Sequence, residues 1–128
     1  MEQKRLWVVI AALLGLTATI LGAYGAHGLP ASGITPEHLA AFHTAVQYQF
    51  FHALALLALG LSPLRGRAIT LACVLFTRGT LGFSGSIYAM VLLGTKGIGL
   101  ITPAGGLCFM LGWAALVWVG CRLGGKNE

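Results

Sequence analysis

The sequence predicts an all-α, four-helix transmembrane bundle, and three observations lead to it. Hydrophobic residues make up 57% of the 128 residues and charged residues only 9%, against about 25% charged in an ordinary soluble domain. Four apolar segments are long enough to cross a bilayer, which takes roughly 20 helical residues. Lysine and arginine fall between these segments, with one exception at Arg78. We therefore expect a single integral membrane domain over residues 1–128.

The four spans are expected at about 6–25, 39–61, 68–93 and 103–121. The first has 20 residues without a charge, which is longer than the apolar core of a cleaved signal peptide, about 7–15 residues. Thr35 and Pro36 provide a cap and a first turn for the second helix. Ser62-Pro63 ends that helix, and Thr102-Pro103 opens the fourth.

Small residues on the first helix predict close helix packing, because they let backbones approach one another in lipid. They form two stripes at i+4 spacing: Ala11, Gly15, Thr19 and Ala23, and Ala18, Gly22 and Ala26.

The distribution of basic residues predicts the orientation. With four spans, one side of the membrane carries Lys4, Arg5, Arg65, Arg67, Arg122 and Lys126, and the other carries only Lys96. Basic residues favour the cytoplasmic side, so we expect both termini in the cytoplasm of a multi-pass protein of the bacterial inner (plasma) membrane. The net charge of +5 is spread between spans rather than gathered in a patch, which argues against a nucleic-acid partner.

The second helix is unusually polar at residues 42–52, FHTAVQYQFFH. At 100° per residue, the polar side chains of this segment cover a wide arc of the helix. We therefore expect this helix at the centre of the bundle, wrapped by the others or lining a water-filled space. Gln47, Tyr48 and His52 should be buried, with Tyr24, Ser84 or Tyr88 as partners, because unsatisfied polar groups in hydrocarbon are costly.

Other polar residues reach the same outer half of the membrane, and two interpretations stay open. One is hydrogen bonding between helices, and the other is a ligand site or proton path. The candidate ligand-binding residues are His27, Gln47, Tyr48, His52, Arg78, Ser84 and Tyr88.

Metal, haem and catalytic chemistry find little support in the sequence. The histidines are never four apart on one helix, and no acid lies among them within the bilayer. Only a dimer that pairs His52 with its mate would offer converging haem ligands. Cys73, Cys108 and Cys121 form no CxxC pair. We expect no cofactor, no metal and no enzymatic activity.

Arg78 is the only formal charge deep in a span, about 15 Å into the third helix at 1.5 Å per residue. Arginine at a helix centre costs about 2.5–3.5 kcal/mol on insertion scales. We expect its guanidinium to face protein or water and to make at least two hydrogen bonds, to a neutral acceptor such as Gln49, to a subunit, or to a bound anion.

Five motifs, taken in order, resemble the YgdD/YwdK-type family of small four-helix bacterial membrane proteins, which has relatives in organisms with mitochondria. They are GAYGAHGL at 22–29, TAVQYQFFHALALL at 44–57, FSGSIY at 83–88, TPAGG at 102–106 and GW at 112–113. The resemblance covers nearly the whole chain and implies a four-span inner-membrane protein without an established activity. It matches His27, Gln47, Tyr48, His52, Ser84, Ser86, Tyr88 and Pro103. Arg78 departs from the pattern, where an apolar residue is usual.

These observations favour a structural or accessory membrane protein that holds a lipid or quinone-like molecule in the outer half of the bundle. Its expected partners are membrane lipid and either further copies of itself or a larger membrane complex. The alternative is a small transporter or proton-conducting oligomer. Proton-coupled multidrug exporters of similar size carry an acid in the first span, and this chain has none there.

Overall fold

The computed structural model describes residues 2–127, with side chains described through residue 123. The Lys126 side chain, part of the predicted charge bias, lies outside the described residues. Four helices make up the fold: α1 Glu2–Ala26, α2 Pro36–Leu61, α3 Arg67–Leu93 and α4 Ile101–Asn127. Each contains one of the predicted spans, and each is long and apolar enough to cross a membrane. The described part of the chain contains no strand.

Local signals in the sequence set the ends of the helices. The Thr35 side chain caps α2 by accepting a hydrogen bond from the His38 N–H at 3.2 Å, and Pro36 occupies the first turn. Ser62 ends α2 in an extended conformation before Pro63. Gly94 ends α3 at φ +67°, a left-handed conformation that residues with a side chain rarely adopt.

The helices pack in chain order, α1 on α2, α2 on α3 and α3 on α4. Within the apolar stretch of each helix, 44% of residues are buried in α2 and 39% in α3, against 17% in both α1 and α4. The prediction of a central second helix is therefore half right, because α2 shares the centre with α3.

One end of the bundle gathers the basic residues, and we call it the basic end. It contains the start of α1, the α2–α3 turn and the end of α4, and carries Lys4, Arg5, Arg65, Arg67 and Arg122. Lys4 Nζ joins two of these elements by donating to the carbonyl oxygens of Leu59, at 2.8 Å, and Leu64. The loops after α1 and α3, the latter with Lys96, lie at the opposite end. That the basic end faces the cytoplasm stays a prediction.

Glycine brings α3 and α4 into backbone contact. A Cβ on Gly105 would lie 2.8 Å from the Gly82 carbonyl carbon and would also collide with the Phe83 amide nitrogen. Two rings then sit on glycines across the same interface: Phe109 packs on Gly79 and Phe76 on Gly112. A side chain at Gly105 is therefore incompatible with this helix spacing.

The predicted stripes on α1 have different outcomes. Ala18 is fully buried and Gly22 packs against Val46 of α2, as the second stripe predicts. The prediction for the first stripe is wrong beyond Ala11, because nothing lies within 4 Å of a Cβ on Gly15, and Thr19 and Ala23 are exposed.

Two apolar clusters divide the interior. The cluster nearer the basic end contains Trp7, Ala11, Leu56, Leu59, Ile69, Ala72, Cys73, Phe76 and Phe109. The cluster nearer the opposite end contains Leu29, Phe42 and Val46. Along α2, Gln49 and His52 lie between the two clusters, and the side chains that meet them form a polar layer across the bundle.

Candidate functional site

Gln49 is the hub of the polar layer and binds three helices together. Its side chain is 3% exposed. The amide Nε2 donates to the Leu14 carbonyl oxygen at 2.8 Å and to Thr17 Oγ1 at 2.7 Å, both on α1. Its Oε1 accepts a hydrogen bond from the Tyr88 hydroxyl of α3 at 2.6 Å. Both amide hydrogens and the carbonyl oxygen are thus engaged, so this part of the layer is closed.

Two serines of α3 extend the layer along the helix. Ser84, fully buried, donates to the Ala45 carbonyl oxygen of α2 at 2.7 Å. Ser86 shares a hydrogen bond with Thr102 of α4 and also bonds the Phe83 carbonyl oxygen. Each serine therefore joins α3 to a neighbouring helix through groups inside the protein.

His52 faces α4 rather than α1. Its Nδ1 lies 2.7 Å from the Tyr48 carbonyl oxygen, and its Nε2 accepts the Trp113 indole N–H at 3.0 Å. An imidazole that donates at Nδ1 and accepts at Nε2 is neutral with a defined tautomer. Since both nitrogens are occupied, neither is open to a metal ion or to haem in this arrangement.

Aromatic rings surround His52. Its ring stacks on Phe109 with centroids 3.6 Å apart and planes at 9°, and Phe76 meets it edge-on at 5.2 Å. The Tyr48 ring lies 5.0 Å from Phe83 and 6.1 Å from Phe109. The contact between α2 and α4 therefore consists mainly of rings, whereas the polar contact between α2 and α1 is the amide network of Gln49.

We call the surface between α2 and α4 the α2–α4 seam; it is lined by Tyr48, His52, Phe109 and Trp113. Tyr48 is 39% exposed and Trp113 45% exposed, whereas His52 below them is 3% exposed. The Tyr48 hydroxyl makes no hydrogen bond to any residue that the structure describes. The seam thus combines an apolar floor with one unpaired hydroxyl at the protein surface.

Three predicted site residues, His27, Gln47 and Arg78, lie apart from this layer. His27 is exposed in the loop that follows α1. The prediction that Gln47 is buried is wrong, because it is exposed on the side of α2 that faces away from the bundle. Tyr48 is only partly covered, so of the three predicted buried residues only His52 is enclosed.

The prediction that Arg78 bonds a neutral acceptor within the chain is wrong, whereas its predicted contacts with water, a subunit or a bound anion stay predictions. Its side chain is exposed, and within the described part of the chain the guanidinium makes no hydrogen bond. Arg78 lies with Leu71 and Leu81 on the outward side of α3, opposite the side that contacts α2. Gln49 cannot serve as its acceptor, since all of its amide atoms are occupied inside.

Sequence reasoning missed the role of Gln49 and of the rings on α4. Gln49 belongs to the polar segment of α2, but its neighbours in sequence are equally polar and gave no reason to prefer it. Tyr88 and Ser84 were singled out, and both lie in the layer, with Gln49 and the Ala45 carbonyl as partners. Tyr24, named as a partner, instead packs its ring edge-on against Phe42 at 6.3 Å.

Comparison with known proteins places the chain among membrane proteins of unassigned activity. A family profile described as "Protein of unknown function (DUF423)" matches residues 21–106. The UPF0382 membrane protein SAB0533 of Staphylococcus aureus is 39% identical over 114 residues, covering 88% of this chain and 93% of the relative. The chain belongs to the UPF0382 family of membrane proteins. No solved structure matches it.

Other UPF0382 relatives are spread widely. A UPF0382 membrane protein of Schizosaccharomyces pombe is 41% identical over 114 residues, covering 84% of this chain and 95% of the relative. The UPF0382 membrane protein YwdK of Bacillus subtilis is 36% identical over 116 residues, covering 88% and 94%. The resemblance expected from the motifs is thereby confirmed, and the yeast relative shows that the family is not confined to bacteria.

Proposed function

We propose that this UPF0382 chain is a non-enzymatic accessory protein of the bacterial inner membrane whose α2–α4 seam binds a lipid or quinone-like molecule. The shared chemistry of these ligands is an apolar body with a carbonyl oxygen that accepts a hydrogen bond. Of the sequence-predicted residues, Tyr48 would contact the ligand and His52 would position the rings beneath it. Ser84 and Tyr88 would hold the helices behind the site.

The observation that carries this proposal is the Tyr48 hydroxyl. It belongs to α2 twelve residues after Pro36, about 18 Å along the helix, which is near the middle of a bilayer. A hydroxyl without a partner is costly in hydrocarbon. The partly exposed ring of Phe83 and the buried ring of Phe109 beneath it make the surface beside this hydroxyl apolar, so a carbonyl-bearing ring or chain would satisfy both features of the seam.

The alternative, a transporter or proton-conducting oligomer, has less support. Among the described residues, every buried side-chain nitrogen or oxygen has a hydrogen-bond partner. A proton path needs groups that exchange protons along a line, and neither His52 nor Gln49 has a free position in this arrangement. Proton flux in liposomes tests this directly, and a flux above that of protein-free liposomes would favour the alternative.

Quenching of Trp113 fluorescence tests the seam. A Trp118→Phe variant retains two tryptophans: Trp113, which lies in the seam, and Trp7, which is buried. In nanodiscs we expect a membrane-soluble quinone to quench Trp113 with saturation at low quinone-to-lipid ratios. In the Trp118→Phe background, Tyr48→Phe keeps the ring and removes only the hydroxyl. It should weaken quinone binding by about fivefold. A phospholipid with brominated acyl chains, titrated separately, distinguishes a lipid ligand from a quinone.

The matched control is Trp113→Phe, which leaves Trp118 near the basic end as the exposed reporter. Its quenching should rise linearly with quinone, as random collision requires. Linear quenching in both variants, or equal affinity with and without the Tyr48 hydroxyl, would show that the seam is not a binding site.

Reporter fusions test the orientation on which the cellular location rests. Reporters fused at Ser32 and Lys96 should be located outside the cytoplasm, and reporters fused at Arg65 and at the C-terminus should be located inside it. A cytoplasmic signal at Ser32 would contradict the proposed topology.

A further inference from the structure

A groove opens at the basic end between the start of α3 and the last described turns of α4. Its volume is about 310 Å³, within the range of about 300–1,000 Å³ typical of small-molecule sites. It is distinct from the α2–α4 seam, since it shares no residue with it. The groove is lined by Leu64, Arg65, Gly66, Arg67, Ala68, Trp118, Val119, Arg122 and Leu123.

Charge is the first feature that indicates a ligand. Three arginines, Arg65, Arg67 and Arg122, line the groove, and among the described residues that line it none carries a carboxylate. They come from the α2–α3 turn, the first turn of α3 and the end of α4, so folding brings together charges that are distant in sequence. Guanidinium groups bind phosphate through paired hydrogen bonds, which makes a phosphate group the matching chemistry.

The start of α3 adds to this positive field. Gly66 precedes the helix at φ +116°, and no side chain caps it. The positive end of a helix dipole attracts anions, and Gly66, Arg67 and Ala68 all border the groove. The helix end alone would not define a site, but here it lies beside three guanidinium groups.

The remaining lining is apolar and aromatic. The Arg122 guanidinium lies 4.9 Å from the centre of the Trp118 ring, a cation–π contact that holds it at the groove. Tryptophan favours the level of lipid headgroups, and Leu64, Val119 and Leu123 continue the groove with apolar surface. A ligand that is anionic at one end and apolar at the other fits this lining better than a free anion does.

We propose that this groove binds the phosphate headgroup of an anionic phospholipid, of the phosphatidylglycerol class, with its glycerol and first acyl carbons against Trp118 and Leu123. The inference goes beyond the seam proposed above and does not depend on it. Anionic lipid at the basic end would also agree with the predicted orientation, because juxtamembrane basic residues are attracted to anionic leaflets.

Trp118 is a reporter inside the groove, which allows a direct test. The Trp113→Phe protein, which keeps Trp118 and the buried Trp7, is placed in nanodiscs that contain phosphatidylcholine and a small fraction of phosphatidylglycerol, with the upper acyl carbons of one or the other lipid brominated. We expect brominated phosphatidylglycerol to quench Trp118 about tenfold more effectively per lipid than brominated phosphatidylcholine. Arg122→Gln should reduce this preference to about twofold or less.

Arg5→Gln is the matched control, because it removes one positive charge from the same end of the bundle. Arg5 borders other grooves, with Val9, and not this one. The preference should survive in Arg5→Gln. Soluble glycerol phosphate should not abolish the preference if the acyl chain contributes.

Three outcomes would overturn the inference. Equal quenching by both brominated lipids in the Trp113→Phe protein would exclude a preference for anionic lipid. An equal loss in Arg5→Gln and Arg122→Gln would reduce the effect to general surface charge. Complete competition by soluble glycerol phosphate would show a free-anion site instead of a lipid site. Circular dichroism on each variant confirms that the helices remain folded.

Discussion

Each of the two inner sides of α2 buries a polar side chain in the membrane, but the two sides surround that side chain differently. On the side toward α1 and α3, Gln49 satisfies every polar atom it brings into the membrane, through Leu14, Thr17 and Tyr88. On the side toward α4, His52 makes one bond to another helix, through Trp113, and is otherwise enclosed by rings. The first side is closed by hydrogen bonds, and the second by aromatic packing that leaves Tyr48 at the surface.

The difference shows that polarity alone does not mark a binding site in a membrane protein. Gln49 is the most connected polar side chain of α2, and for that reason it has nothing left to offer a ligand. Tyr48, its neighbour in sequence, has an unoccupied hydroxyl at an open seam. The unoccupied Tyr48 hydroxyl therefore distinguishes the side toward α4. Substitutions on one side at a time measure the contribution of each side separately.

The largest effect is expected for Gln49→Leu. It leaves the Tyr88 hydroxyl without its acceptor and the Leu14 carbonyl without this donor, and should lower the free energy of unfolding by about 2–3 kcal/mol. Gln47→Leu is the control two residues away, on an exposed surface, and should change stability by less than about 0.5 kcal/mol. Equilibrium unfolding in mixed micelles measures both, and equal losses would contradict the assignment of Gln49 as the hub.

His52→Phe should have a smaller effect, about 1–2 kcal/mol, because the new ring retains the stacking on Phe109 and loses only hydrogen bonds. A double-mutant cycle with Trp113→Phe isolates the bond between the two residues. Its coupling energy should lie between about 0.6 and 1.7 kcal/mol, the range known for bonds between transmembrane helices. A coupling near zero would mean that ring packing alone holds α4 against α2.

Tyr88→Phe should cost about 0.6–1 kcal/mol. It removes one of the three bonds of Gln49 and leaves the two to α1 in place. In the Gln49→Leu background the same change should cost almost nothing, because the acceptor is already gone. An undiminished cost in that background, measured by the same unfolding experiment, would show that the hydroxyl acts through a group other than Gln49, because phenylalanine keeps the ring against Phe42.

The smallest effect is expected for Arg78→Leu, which lies outside both inner sides. Its side chain is exposed and makes no hydrogen bond to the residues described, so the free energy of unfolding should change by no more than about 0.5 kcal/mol. A loss of 2 kcal/mol or more, as a charged contact would give, would place Arg78 in an interface with another subunit. Cross-linking at position 78 would then reveal the second chain.

The helices could be predicted from the sequence because length, charge and helix-stopping residues all act locally. Twenty apolar residues define a span, Thr35-Pro36 opens α2 and Ser62-Pro63 closes it. Each of these signals operates within one turn of the chain, so no knowledge of neighbouring helices was needed.

The rotation of each helix about its axis could not be predicted in the same way. In a soluble protein the polar side of a helix faces water. In lipid both the inner and the outer side of a helix are apolar, so the periodicity of hydrophobic residues no longer shows which side faces the protein. Gln47 and Gln49 are identical residues 160° apart once the 100° step is applied twice and measured the short way round. Nothing in the sequence says which of them faces α1, and the same ambiguity applies to the side of α3 that carries Arg78.

Glycines pose a similar ambiguity. Gly15 and Gly105 both interrupt apolar helices, yet one borders open space and the other touches a backbone. The distinction depends on which helix lies opposite, and that is a tertiary fact. Ser84 and Tyr88 were easier to identify, because a polar side chain in an apolar helix has to find a partner wherever the helix turns.

α3 and α4 touch backbone to backbone where Gly82 meets Gly105. Toward the basic end, the rings of Phe109 and Phe76 lie between the two helices instead of bare backbone. Farther on, the open groove beside Arg67 and Arg122 separates them. Gly82 lies fifteen residues from Arg67, a lever arm of about 22 Å. A rotation of α4 about these glycines would therefore move its basic end farther than the glycines themselves, and so would widen or narrow the groove.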